Sequence, residues 1–186
     1  YQQLCAMVKS RAGEMTLDQF GFFQELEGFF DMDPDFTRSR ECLRGMIEKR
    51  PDTPEPYLAL ASILSDRDSI DQALPLLQKI VDMKARPVGF EGVQLYNAKS
   101  QALYLQAVYA FQQWENESDK KSDKAKAALD ASRKYRAEMA RYVGSDSELL
   151  VLVDGFHRFA EADWLGAKKL LGDYLRRTQG QNIKAE

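Results

Sequence analysis

The chain contains a single histidine, His157, followed by Arg158. An imidazole acting as a general base needs a nucleophile within hydrogen-bond reach and a carboxylate to orient it. The sequence places neither beside His157, which therefore reads as a satisfied surface or groove side chain. The segment Asp31-Met32-Asp33-Pro34-Asp35 alternates three carboxylates like the first half of a calcium-binding loop. It departs from that pattern twice: Phe36 stands where the sharp turn needs glycine, and Cys42 stands at the twelfth place, where a bidentate glutamate is required. It reads instead as a turn between paired helices, with Asp33 or Asp35 suited to the positive end of the second. Cys5 and Cys42 fall on apolar stripes of different helices and in no CxxC pair, so they read as buried thiols rather than metal ligands or a disulfide. The chain has no Gly-rich phosphate loop and no metal-ligand cluster. No catalytic residue, metal or cofactor is assigned, and the function reads as non-enzymatic.

The elements that must position any site are helical. In 186 residues with 44% hydrophobic content, the few Gly and Pro sit mostly between periodic stretches. There is enough apolar material for one globular domain or one short solenoid. The only β-branched run, Leu149-Leu150-Val151-Leu152-Val153, also fits a buried helix. Residues 1–85 carry 10 Lys or Arg against 15 Asp or Glu, and the remainder 16 against 14. No basic patch able to follow a phosphate backbone emerges, which argues against nucleic acid as a partner. No apolar run is long enough to span a bilayer and no signal peptide is evident. The chain begins at Tyr1, as a mature or trimmed product would. This reading favours the cytoplasm, with the periplasm or secretion open if a signal was removed.

The most ordered stretch runs from Pro51 to Pro87. Tyr57, Leu60, Ala61 and Leu64 share one stripe of a helix, and after the polar break Asp66-Arg67-Asp68, Ala73, Leu77 and Ile80 form a second stripe. Ala61 and Ala73 are small where two backbones must come close. This hairpin resembles the tetratricopeptide repeat, a helix–turn–helix of about 34 residues, with Tyr57, Leu60, Ala61, Leu64, Ala73 and Leu77 in its characteristic places. Ala85 stands where the closing proline is usual, and Pro87 comes two residues late. A shift of the same length places Phe23, Leu26, Phe30, Ser39, Leu43 and Met46 on the equivalent positions, with Pro51 as the closing proline. A further shift puts Cys5 and Ala12 on small-residue places of an earlier second helix.

The resemblance implies an all-α fold: a right-handed α-α superhelix, a solenoid of about nine helices forming one domain over 1–186. Its parts are a half repeat or capping helix at 1–15, repeats at 16–51 and 52–87, an elongated repeat at 88–144 and a last repeat at 145–180. The opening helix spans 2–12, and the next runs from a capping box at Thr16 and Gln19 to Phe30. In the elongated repeat, a helix from Val93 to Trp114 carries two stripes: Leu95, Ala98, Ala102, Leu105 and Tyr109, and Tyr104, Val108 and Phe111. A polar turn follows over Glu115–Lys124, then a helix through Ala125, Leu129, Ser132 and Tyr135 to about Val143, stopped by Gly144. In the last repeat Trp164 is expected to wedge between the two helices.

The same resemblance implies a concave groove lined by the first helix of each repeat, which holds a peptide or helix of another protein. The groove candidates are Gln24, Gly28, Asp31, Glu55, Leu58, Ser62, Asp66, Asn97, Gln101 and His157. Gln24, Gly28 and Ala59 occupy the places where chaperone-binding members grip a C-terminal carboxylate with Lys, Asn and Arg, so that clamp is not expected. The acidic side chains suit a basic or neutral ligand. The leading reading is a non-enzymatic scaffold or adaptor. Two others stand beside it: a regulatory or accessory domain cut from a larger enzyme or sensor, and a homodimerisation module.

Overall fold

The computed structural model describes residues 37–65, 70–84 and 90–182. The expected helices at 2–12 and 16–30 and the turn at 31–35 lie outside them. Among the described residues the fold is all-helical, with seven helices and no strand. The chain divides into two compact units, residues 1–84 and 85–186.

The first unit contains α1 (Thr37–Lys49), α2 (Glu55–Ser65) and α3 (Ile70–Asp82). α2 packs on both of its neighbours. The residues buried on α2 are Pro56 and the stripe Tyr57, Leu60, Ala61 and Leu64; α3 buries Ala73, Leu77, Ile80 and Val81. Ser39, Cys42, Leu43 and Met46 close the core from α1. Ala61 and Ala73 are wholly enclosed, as expected where small side chains let helix backbones approach and larger ones fill the flanks. The Tyr57 hydroxyl donates to the Pro51 carbonyl at 3.1 Å, which ties the start of α2 to the turn before it. Pro75 lies inside α3 on an exposed position, so this helix forgoes one backbone bond yet continues.

The second unit contains α4 (Phe90–Asn116), α5 (Asp123–Met139), α6 (Glu148–Ala160) and α7 (Trp164–Asn182). α4 pairs with α5 and α6 with α7, while α6 also rests on both α4 and α5. Buried alanines carry the first pairing: Ala98, Ala102, Ala107 and Ala110 on α4, and Ala125 and Ala128 on α5. At one end of the pair Phe111 and Trp114 join Ala125 and Ala128 in a cluster covered by Leu129, Phe156 and Ala160. The Phe111 ring lies 5.0 Å from Phe156, stacked, and 5.2 Å from Trp114. α6 meets α7 at Gly155, where an added Cβ would come within 2.6 Å of Leu171 Cδ2. No helix among the described residues is long and apolar enough to cross a membrane.

The turns are built by side chains reaching the backbone. Between α4 and α5, Lys120 Nζ donates to the carbonyls of Trp114, Glu115 and Glu117 at 2.9, 2.5 and 2.7 Å and stands 4.8 Å from the centre of the Trp114 ring. The first two are last-turn carbonyls that a helix end leaves without an intrahelical donor, and the third lies just past the end of α4. Ser122 caps α5 by accepting from the Ala125 N–H at 3.1 Å. α5 leaves the helix at Met139, four residues before the expected end near Val143. The tighter bonds Arg141 N–H to Glu138 and Tyr142 N–H to Met139 carry the chain on, and the Tyr142 ring settles 5.8 Å from Tyr96 of α4.

α6 ends with Asp163 N–H bonded to the Arg158 carbonyl and Ala162 N–H to Phe159. This is a Schellman closure in which Ala162, at φ 60°, takes the left-handed place that glycine usually fills. Trp164 is not the expected wedge. The inner stripe of α7 is Ala167, Leu170, Leu171 and Tyr174, and Trp164 at the first position falls to its side. The indole is 60% exposed, and its ring stands edge-to-face with Phe159 at 5.0 Å.

Asp163 starts α7: its Oδ1 accepts from the Gly166 N–H at 2.9 Å, the third helical position. Asp163→Ala should therefore lower the unfolding free energy by about 1 kcal/mol in urea titration, the usual value of an N-cap. Asp163→Asn, which keeps the acceptor, should lose only a few tenths of that.

Candidate functional site

The described groove candidates fall in two places and one interior. On α2, Glu55, Leu58 and Ser62 share a face at spacings of three and four; Ser62 is exposed and the other two are half-buried. Glu55 is the first residue of α2. Its Oε2 is enclosed without a hydrogen-bond partner among the described residues. Burial raises its carboxyl above the ordinary value, while its own backbone N–H and the nearby Arg50 oppose that rise. Gln24, Gly28, Asp31 and Asp66 lie outside the described residues.

On α4, Asn97 and Gln101 are exposed and one turn apart. The same face continues to Tyr104, a half-buried residue whose hydroxyl is pushed up first by burial and then by its neighbours Tyr174 and Tyr109. Tyr104 thus joins Asn97 and Gln101 as a polar-tipped aromatic on an open amide face. Sequence spacing places Tyr104 on a packing stripe of this helix. Nothing in that stripe indicates that the Tyr104 hydroxyl feels the charge of Tyr174 on α7.

His157 is in neither group. It lies inside the second unit, 8% exposed, because α6 turns it toward α4 and α5 and away from solvent. Its Nε2 is 2.9 Å from Ser132 Oγ of α5, and that hydroxyl lies 2.8 Å from the Ala107 carbonyl of α4. A hydroxyl has one proton to give, and the carbonyl can only accept. Ser132 therefore donates to Ala107 and accepts from His157, which fixes the imidazole as the Nε2–H form. Burial holds its pKa below the ordinary value; Asp154 and Glu161 work against that shift, and Arg133 and Arg136 with it.

A serine 2.9 Å from an imidazole has the spacing of a nucleophile and its base. The proton runs the other way here: the imidazole gives to the serine, and the serine gives to a carbonyl. Ser132 is also wholly buried, so no substrate reaches its oxygen. The arrangement links three helices. Two ion pairs flank it on the α5–α6 boundary. Arg136 grips Asp154 with Nε–Oδ1 at 2.7 Å and Nη2–Oδ2 at 2.6 Å, and Arg133 Nη2 meets Glu161 Oε1 at 2.9 Å. The Asp154 hydrogen bonds raise the Arg136 pKa, as a bidentate pair does.

No group of three or more His, Cys, Asp or Glu residues able to hold a metal occurs among the described residues. No family model, curated protein or solved structure matches the chain.

The buried imidazole sets a pH dependence with a definite sign. In the unfolded chain His157 titrates near 6.5, and in the fold it titrates lower. The unfolded state therefore takes up a proton first as pH falls. Stability should be level above about pH 6.5 and decline from there towards pH 5, as followed by chemical denaturation. His157→Gln, whose amide N–H can replace the Nε2 donor, should flatten that slope. Ser132→Ala leaves the buried imidazole N–H without its acceptor and should cost about 1–3 kcal/mol.

Proposed function

We propose that the chain is a non-enzymatic scaffold of the tetratricopeptide-like kind, which holds a peptide or helix of another protein in a groove lined by the leading helices of successive hairpins. The observation that carries the reading is the packing order in the second unit, where α6 leads the second hairpin and rests on both helices of the first. A hairpin that buries its leading helix against its predecessor is the unit from which solenoids are stacked.

Each unit supplies its own candidate surface: in the first, Glu55, Leu58 and Ser62 on α2, and in the second, Asn97, Gln101 and Tyr104 on α4. Exposed amides can hydrogen-bond an extended backbone, and a tyrosine offers a rigid apolar surface with a polar tip. The half-buried Glu55 carboxyl favours a partner with a basic or neutral segment. Nothing in this reading calls for a cofactor.

The test is an affinity pulldown with purified chain, comparing wild type with Leu58→Arg and Gln101→Arg, after light scattering has fixed the oligomeric state. Both positions are surface-facing or half-exposed, so circular dichroism should be unchanged. The expected outcome is a protein retained by wild type and depleted at least tenfold by either variant. Retention that neither variant alters would remove the groove from the account.

A further inference from the structure

The outer face of α7 has three features that the core does not explain. The first is apolar exposure: Leu165 is 83% exposed, Trp164 60% and Leu175 52%. The second is charge. Lys168 and Lys169 are exposed on the same side, and neither has an ion-pair partner among the described residues. The third is Gly172, in the middle of this nineteen-residue helix. At 100° per residue Gly172 falls centrally on this face, with Trp164, Lys168 and Leu175 to one side and Leu165 and Lys169 to the other. An added Cβ would meet nothing nearer than Arg176 Nη1 at 3.9 Å, so no packing among the described residues requires a glycine there. Glycine weakens a helix interior. A glycine that its own fold does not need leaves a notch into which another backbone can come close.

We propose that this face is a second docking surface, separate from the groove, for an acidic amphipathic helix of a partner protein. The occupant's charge follows from the two unpaired lysines, which favour carboxylates opposite them. Its form follows from the notch: a helix crossing at Gly172 can approach closely, with apolar side chains against Trp164, Leu165 and Leu175 and Asp or Glu over the lysines. Exposed Trp set in a cationic rim is the composition of an interface anchor. A lipid surface fits less well. Lys168 lies between Trp164 and Leu175 on one stripe and would be driven into the acyl region, whereas interfacial helices keep their cations on the opposite face. A phosphate backbone would gain nothing from Leu165.

The test is a display selection of helical eighteen-residue peptides on the full chain, with binding of the recovered peptides measured by fluorescence anisotropy. The selected peptides should be net acidic with apolar residues on one face. Their affinity should fall at least tenfold with Gly172→Leu, which fills the notch while favouring the helix, and with Lys168→Glu/Lys169→Glu, and it should weaken as salt rises. Peptides that are not acidic, or that bind these variants as well as wild type, overturn the proposal. So does an empty selection. Peptides lost with Gln101→Arg but retained by the α7 variants belong to the groove, which separates the two surfaces. Binding to vesicles of anionic phosphatidylglycerol in preference to every peptide would assign the face to lipid and also overturn the proposal.

Discussion

The second unit depends on one buried exchange of hydrogen bonds: His157 to Ser132, and Ser132 to the carbonyl of Ala107. Each participant comes from a different helix, so α4, α5 and α6 are held in one register. A polar group taken out of water costs several kcal/mol unless it finds a partner. An apolar contact tolerates a shift of an ångström, but this chain of donors and acceptors does not. The exchange therefore specifies the packing more sharply than the surrounding apolar contacts can. The Arg136–Asp154 pair, one turn along α6 from His157, holds the same boundary from its wetter edge.

Small side chains make that register reachable. Ala107 and Ala110 on α4 and Ala125 and Ala128 on α5 are buried, and helices that meet through alanine bring their backbones close. Only at such a separation can Ser132, with its short side chain, reach a carbonyl of the neighbouring helix. Gly155 does the same for α6 against α7, where Leu171 occupies the space a side chain would take. The turns support this packing by satisfying helix ends, through Lys120 after α4 and Asp163 before α7. In both units, function would be carried by what this packing leaves exposed.

Spacing along one helix was legible from the residues. Tyr57, Leu60, Ala61 and Leu64, and Ala73, Leu77 and Ile80, were read as inward stripes and are buried. Ser39, Leu43 and Met46 follow the same rule. The relation between helices was not legible. His157 and Ser132 are 25 residues apart, and their meeting depends on where α5 ends and how the turn to α6 aims it. That end fell four residues before the expected one, because turn bonds from Arg141 and Tyr142 took over from the helix. Trp164 shows the same limit: its large side chain suggested a wedge, but at the first position of α7, seven residues before Leu171, the indole is left 60% exposed. Of the groove candidates, Glu55, Leu58 and Ser62, and separately Asn97 and Gln101, share faces as their spacing requires. His157 does not join them, because the orientation of α6 turns it into the core.

The most direct test is nuclear magnetic resonance of the imidazole nitrogens in uniformly labelled protein, which is unambiguous because the chain has one histidine. The account predicts a neutral ring at pH 7, with the proton on Nε2 and Nδ1 bare, in slow exchange with solvent and titrating below 6.5. A ring protonated on Nδ1 alone would leave Nε2 with no proton to give Ser132 and would contradict the three-helix exchange. A ring charged at pH 7 would keep that donor but contradict the lowering of its pKa by burial.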